Sequence, residues 1–128
     1  GFQYLRARMH EAWGGLLPHC YDIGVPQLSV RPNRTFDGII CCDVLEHIED
    51  SDLDEVLRDM CALLAHRPPG RPKPFLFFVI DCAASKKRAM EDGRNLHVTI
   101  QPPIWLARRV APVLDTRLDA EVYMLFEH

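Results

Sequence analysis

Two continuous apolar runs separated by an amphipathic segment most strongly constrain how this chain folds. The runs cover residues 36–42 and 75–80, and each is followed at once by an aspartate. Such runs are typical of strands that are covered on both faces of a parallel sheet. Between them, apolar residues recur every three or four positions over residues 53–65, which predicts a helix with Ser51 as its N-cap. This order predicts an α/β fold with a mainly parallel sheet.

The rest of the chain predicts further elements around this unit. Apolar spacing over residues 3–17 predicts an amphipathic helix, and residues 19–22 are expected to form a short strand. Pro102–Pro103 are expected to open another helix, because proline is accepted in a first helical turn. Residues 114–127 are expected to form an antiparallel hairpin of two strands. We predict a single domain over residues 1–128.

Composition excludes several classes of protein. Hydrophobic residues make up 48% of the 128 residues and the net charge is −3, so we expect a globular protein without an obligate nucleic-acid partner. The basic cluster at residues 86–88 is expected to be solvated surface. We expect neither a signal peptide nor a membrane partner, since no apolar run approaches the ~20 residues that span a bilayer. Five cysteines without a C-x-x-C spacing indicate reduced thiols and a cytoplasmic location.

The first apolar run and the loop after it carry a family resemblance. Residues 36–48 read FDGIICCDVLEHI. They resemble the fourth strand and following loop of class I S-adenosylmethionine-dependent methyltransferases, in the subgroup with a D-V-L-E-H-hydrophobic signature. The resemblance implies a Rossmann-like fold and S-adenosyl-L-methionine as cofactor, with Cys42, Asp43 and Val44 lying along it.

Two other stretches resemble the same family, so the similarity covers nearly all of the chain from about residue 19. Residues 21–26, YDIGVP, resemble the end of the second strand. There the family uses an acid to accept hydrogen bonds from the ribose hydroxyls, a role that the resemblance assigns to Asp22. Residues 92–105 resemble the loop and helix that precede the family's last two strands.

The sequence also departs from the family pattern. It has no G-x-G-x-G loop, and the 20 residues 23–42 are too few for the usual intervening helix and strand. We therefore expect a methyltransferase truncated at its N-terminus, either a natural short protein or a fragment. Its missing central strand would leave backbone groups unpaired unless the flanking strands pair directly or a second chain covers the gap, which makes a homodimer one expectation.

Two functions follow from the resemblance. The first is an S-adenosylmethionine-dependent methyltransferase whose methyl acceptor, a small molecule or a nucleic acid, is not specified by the sequence. The alternative is a catalytically inactive methyltransferase-like module that acts by self-association or partner binding. Methyl transfer from an activated sulfonium depends mainly on alignment, so no catalytic base is assigned.

A metal site is a further alternative within the same segment. Asp43, Glu46, His47 and the distant His97 resemble the acid-acid-His…His arrangement of metal-dependent small-RNA 2′-O-methyltransferases. Carboxylate and imidazole suit a divalent cation. The Glu-His pair is also widespread in class I methyltransferases, where it orders the loop without a metal. The primary expectation is no metal, with Glu46, His47 and His97 as the alternative ligand set.

Overall fold

The fold is described from a computed structural model over residues 2–86 and 92–127, without the side chains of residues 2–5. The chain forms two compact units, residues 1–33 and residues 34–128. The prediction of a single domain stays a prediction. Part of the basic cluster predicted at residues 86–88 lies outside the described residues.

The first unit contains helix α1, Phe2–Ala12, and a short 3-10 turn, Pro26–Leu28. The predicted helix over residues 3–17 therefore ends five residues early. The reason is Gly14 and Gly15, which both take positive φ (63° and 92°), a conformation that ends a helix. The predicted strand at residues 19–22 is wrong. These residues are irregular, and Asp22 instead starts a turn.

The second unit is built on three strands, β1 (Gly38–Cys42), β2 (Phe75–Asp81) and β3 (Glu121–Glu127), in the order β1-β2-β3. Both pairings are parallel. Parallel neighbours need crossover connections, which α2 (Asp50–Leu63) and α3 (Pro103–Leu114) provide. The α/β class and the mainly parallel sheet are confirmed.

The predicted C-terminal antiparallel hairpin is wrong. Residues 114–120 continue from α3 through the 3-10 turn Asp115–Arg117, and the residues after them form the single strand Glu121–Glu127. That strand, β3, pairs with β2 in the same direction, with Val79 opposite Leu125. The apolar residues assigned to two strands therefore belong to a helix end and one strand.

Helices α2 and α3 contact each other, and their apolar side chains share the hydrophobic core with one face of the sheet. The predicted period is confirmed for α2, which starts at Asp50, with Glu49 and not Ser51 as its N-cap. Alternate residues of β2 are buried and half-buried along its length, as strand geometry requires. The fully buried members of the core are Leu45, Leu53, Leu57, Leu64, Leu76, Phe78, Ile80, Leu106 and Val110.

A buried arginine joins the C-terminal end of α2 to the turn after α3. The Arg117 guanidinium donates to the backbone carbonyls of Cys61 (2.7 Å), Leu64 (2.9 Å) and Ala65 (2.8 Å). It also pairs with both carboxylate oxygens of Asp119 at 2.9 Å. These bonds supplement the cap bond from the Leu64 amide to the Cys61 carbonyl and satisfy the carbonyls of Leu64 and Ala65 just beyond the helix end.

Candidate functional site

The carboxyl end of β1 turns abruptly into an exposed loop. Cys42 is half-buried, and the next residue, Asp43, has a φ of 55°, in the left-handed region that an ordinary side chain rarely adopts. The Asp43 amide still donates to the carbonyl of Val79, 3.0 Å away on β2. Val44 is 39% exposed. The three residues predicted to line the cofactor thus lie in sequence along the carboxyl edge of the sheet.

The Cys42 thiol is in an environment that keeps it neutral. Burial raises its pKa, and the neighbouring Asp43 raises it further. Burial raises the pKa of the adjacent Cys41 thiol to about 12. A thiolate is the reactive form of cysteine, so neither residue is suited to act as a nucleophile at neutral pH.

The loop continues as a 3-10 turn, Leu45–His47. Hydrogen bonds from residues 98 and 99, which are distant in sequence, hold this turn in place. The amides of Val98 (2.8 Å) and Thr99 (3.1 Å) both donate to the backbone carbonyl of Glu46. The Thr99 hydroxyl donates to the carbonyl of Ile48 at 2.5 Å. These contacts hold the segment around residue 97 against the loop after β1.

The Glu46 side chain is completely buried, at 0% exposure. Its Oε1 accepts a hydrogen bond of 3.3 Å from the amide of Asp81, whereas its Oε2 has no hydrogen-bond partner among the described residues. Burial raises the pKa of this carboxyl. An unpaired buried carboxylate oxygen is costly, and a bound water or ion is one way in which such an oxygen is satisfied.

Two histidines face each other beside this carboxylate. The His47 Nδ1 lies 2.8 Å from the carbonyl of Leu96, and the His97 Nδ1 lies 2.6 Å from the carbonyl of Ala83. The ring centroids are 4.8 Å apart, with the rings edge to face. One ligand atom from each of Glu46, His47 and His97 lies within 4.8 Å of the other two. The structure thus brings together the alternative metal-ligand set, without the carboxylate of Asp43.

Asp22, the fourth residue predicted to contact the cofactor, lies in the first unit. Its Oδ1 accepts a hydrogen bond of 2.8 Å from the amide of Gly24, which closes an Asx turn. It does not follow a strand. The local role observed for this carboxylate is therefore to stabilise a turn.

Asn95, which the sequence pattern did not single out, holds the loop that carries His97 through hydrogen bonds to its backbone. Its Oδ1 accepts from the amides of Ser85 (3.0 Å) and His97 (2.9 Å), and its Nδ2 donates to the carbonyl of Ser85 at 3.2 Å. The available signal was the spacing, because an asparagine that bonds the amide two residues ahead is typical of a turn. The carbonyls of Ala83 and Leu96 had no such signal.

Comparison with protein families, curated proteins and solved structures finds no match to this chain. In residues 2–86 and 92–127, no helix is both long and apolar enough to cross a membrane.

Proposed function

We propose that this chain is part of a class I, Rossmann-like S-adenosylmethionine-dependent methyltransferase with an unspecified methyl acceptor. The observation that carries the proposal is the left-handed Asp43 directly after β1. In open parallel sheets, ligands bind beyond the carboxyl ends of the strands. Residues other than glycine that adopt the left-handed region occur often in ligand-binding turns, and aspartate adopts it more readily than most. The residues that resemble the family signature occupy this position.

The residues around Asp43 have properties that suit the proposed cofactor. Val44 is exposed and offers an apolar surface beyond the carboxyl end of β1, and the exposed Asp43 beside it offers a carboxylate. The bound cofactor supplies a methyl group already activated on a sulfonium. A neutral Cys42 does not compete with the acceptor for that methyl group, because burial raises the pKa of its thiol. The contribution of this chain is then to bind and orient.

Calorimetric titration of the full chain with S-adenosylmethionine and with S-adenosylhomocysteine tests the proposal. We expect saturable heat, and weaker binding in Asp43→Gly. Glycine adopts a positive φ without penalty, so this variant removes the carboxylate while keeping the turn. Glu55→Ala, at an exposed position on α2, is the matched control and should bind as the unmodified chain does. No heat at millimolar cofactor would contradict the proposal.

The inactive-module alternative has one observation in its favour. Strand β3 lies at the end of the sheet order, and Tyr123 (49%) and Leu125 (51%) on one of its faces are exposed. An exposed apolar edge strand is a surface that self-association covers. This alternative predicts a dimer in sedimentation equilibrium that Leu125→Ser dissociates, with Leu118→Ser as the exposed control. A monomeric chain at all concentrations tested would contradict the self-association form of this alternative.

A further inference from the structure

We propose that Glu46, His47 and His97 bind one divalent transition-metal cation, and that Asn95 is the positioning residue of this site. All four residues belong to the unit formed by residues 34–128. None of them is among the residues proposed to line the cofactor. The inference is therefore independent of the proposed methyltransferase function.

The hydrogen bonds of the two histidine rings determine which nitrogen of each ring can bind a metal. A carbonyl oxygen only accepts, so the short contacts of Nδ1 with Leu96 and Ala83 require a proton on Nδ1 of each ring. In a neutral imidazole the lone pair then lies on Nε2. Metal-binding histidines almost always donate their second N–H to a carbonyl or carboxylate in this way. His47 and His97 come from different segments, yet both show this arrangement.

The carboxylate completes the set. Glu46 is fully buried, and one of its oxygens lacks a hydrogen-bond partner among the described residues. A purely structural glutamate in this position would be expected to have both oxygens paired. A cation held between the three side chains compensates the buried charge. His47 is exposed and His97 is half-buried, so the site opens towards solvent on the histidine side.

The ligand set also indicates the class of ion. Two imidazoles and one carboxylate suit zinc, cobalt, iron or manganese, whereas magnesium and calcium prefer sites made of oxygen alone. Protein ligands lie about 2.0 to 2.2 Å from such an ion, which places neighbouring ligand atoms about 3 to 3.5 Å apart. One ligand atom of each group lies within 4.8 Å of the others, so the widest separation would shorten by about 1.3 to 1.8 Å when the ion binds.

Asn95 links the two parts of the loop on which His97 depends. Its side-chain oxygen accepts a hydrogen bond from the His97 amide, which fixes the backbone of that metal ligand. It also makes two hydrogen bonds with the backbone of Ser85, two residues after the Ala83 carbonyl that orients the His97 ring. One side chain therefore holds both the ligand and the segment that sets its tautomer. Loss of such outer contacts typically lowers metal affinity about 10- to 100-fold.

Titration of the chelator-treated full chain with Co²⁺ tests the site directly, because Co²⁺ bound by imidazole and carboxylate absorbs in the visible range. We expect one Co²⁺ per chain, a rise in Tm with Co²⁺ concentration, and no displacement by equimolar Mg²⁺. His47→Ala, His97→Ala and Glu46→Gln should each lower Co²⁺ affinity at least about tenfold. The matched control is His66→Ala, an exposed histidine 3.7 Å from Asp119, near the other end of the sheet.

The role of Asn95 is tested by a pair of variants. Asn95→Ala should lower Co²⁺ affinity about 10- to 100-fold and broaden the visible bands, while the urea midpoint of the metal-free chain changes little. Asn95→Asp keeps both accepted hydrogen bonds and should retain most of the affinity. Equal Co²⁺ affinity in Asn95→Ala and the unmodified chain would overturn the positioning role.

A visible spectrum no different from that of free Co²⁺ at the same concentration, or equal losses of affinity in His66→Ala and His97→Ala, would overturn the cation site. Circular dichroism of each variant confirms that it is folded; His47→Ala replaces an exposed side chain and should leave the fold intact. Co²⁺ binding is measured without cofactor. Cobalt binding without any heat from S-adenosylmethionine would support this site and contradict only the proposed methyltransferase function.

Discussion

Arg117 carries the largest single-residue effect that the fold predicts outside the apolar core. Its side chain is 8% exposed, and its two bonds to the carbonyls of Cys61 and Leu64 are buried. A hydrogen bond to a charged group is worth about 1.5 to 3 kcal/mol, so these two together contribute about 3 to 6 kcal/mol. The paired Asp119 carboxylate is 41% exposed, so it stays solvated when its partner is removed and adds little to the loss. We therefore expect Arg117→Ala to lower the free energy of unfolding by about 3 to 6 kcal/mol.

Urea unfolding followed by circular dichroism measures this loss from the midpoint at constant slope. In Arg117→Lys a single ammonium replaces a guanidinium that donates to several carbonyls. The free energy of unfolding should therefore fall by less than in Arg117→Ala. This second variant keeps the measurement possible if Arg117→Ala does not fold. Arg109→Ala is the matched control, because Arg109 also joins two helices but pairs with Asp50 and Asp54 near the surface.

An exposed ion pair of this kind is worth about 0.2 to 1 kcal/mol. A loss below about 1 kcal/mol in Arg117→Ala, or one equal to that of Arg109→Ala, would refute the view that buried carbonyl capping stabilises the end of α2. Arg117→Ala is also expected to leave Co²⁺ affinity unchanged. Arg117 bonds the C-terminal end of α2, which lies beside the residues that precede β1, whereas the proposed metal ligands follow the carboxyl end of β1.

Two further predictions concern packing and pH. Gly38→Ala should cost about 1 to 3 kcal/mol of unfolding free energy, because an added Cβ would lie 2.2 Å from ring carbons of Phe75. Urea unfolding measures this loss, and the additional change Phe75→Ala should remove the clash; a neutral Gly38→Ala would contradict the close approach. The hydrogen bond from Arg117 lowers the pKa of Asp119 from 3.8 to about 2. Because the folded pKa lies below the unfolded one, its stabilising contribution is present above about pH 4 and is lost as pH falls through about 2. In Asp119→Asn the free energy of unfolding should not show this loss between about pH 4 and about pH 2. A pH profile equal to that of the unmodified chain would contradict the stabilising role of the Asp119 carboxylate.

The elements with a clear period were predictable from sequence. The helix predicted over residues 53–65 and the runs at 36–42 and 75–80 correspond to α2, β1 and β2 within a few residues. Burial imposes these periods directly on residue choice, because a strand between covered faces and a helix against a sheet need different spacings. The helix opened by Pro102–Pro103 was predictable for the same reason, together with the restricted φ of proline.

The wrong predictions concern segments whose apolar residues fit more than one element. Residues 114–127 contain enough apolar residues for two strands, but the first of them extend α3 and its 3-10 turn. Helix and strand are not distinguished by short apolar runs, so the choice depends on which neighbour covers them. Residues 19–22 are a similar case, because Asp22 forms a turn with Gly24 and no strand pairs with the segment.

For the candidate site, the sequence alone determined which chemical groups follow β1, since Asp43, Glu46 and His47 all fall within the five residues after Cys42. Only the tertiary structure decided that His97 lies beside them, that Glu46 is buried with an unpaired oxygen, and that Asn95 organises the loop. The physical reason is that the bonds that orient both rings are accepted by backbone carbonyls. Every residue carries such a carbonyl, so which one meets a side chain depends on how the chain folds back on itself.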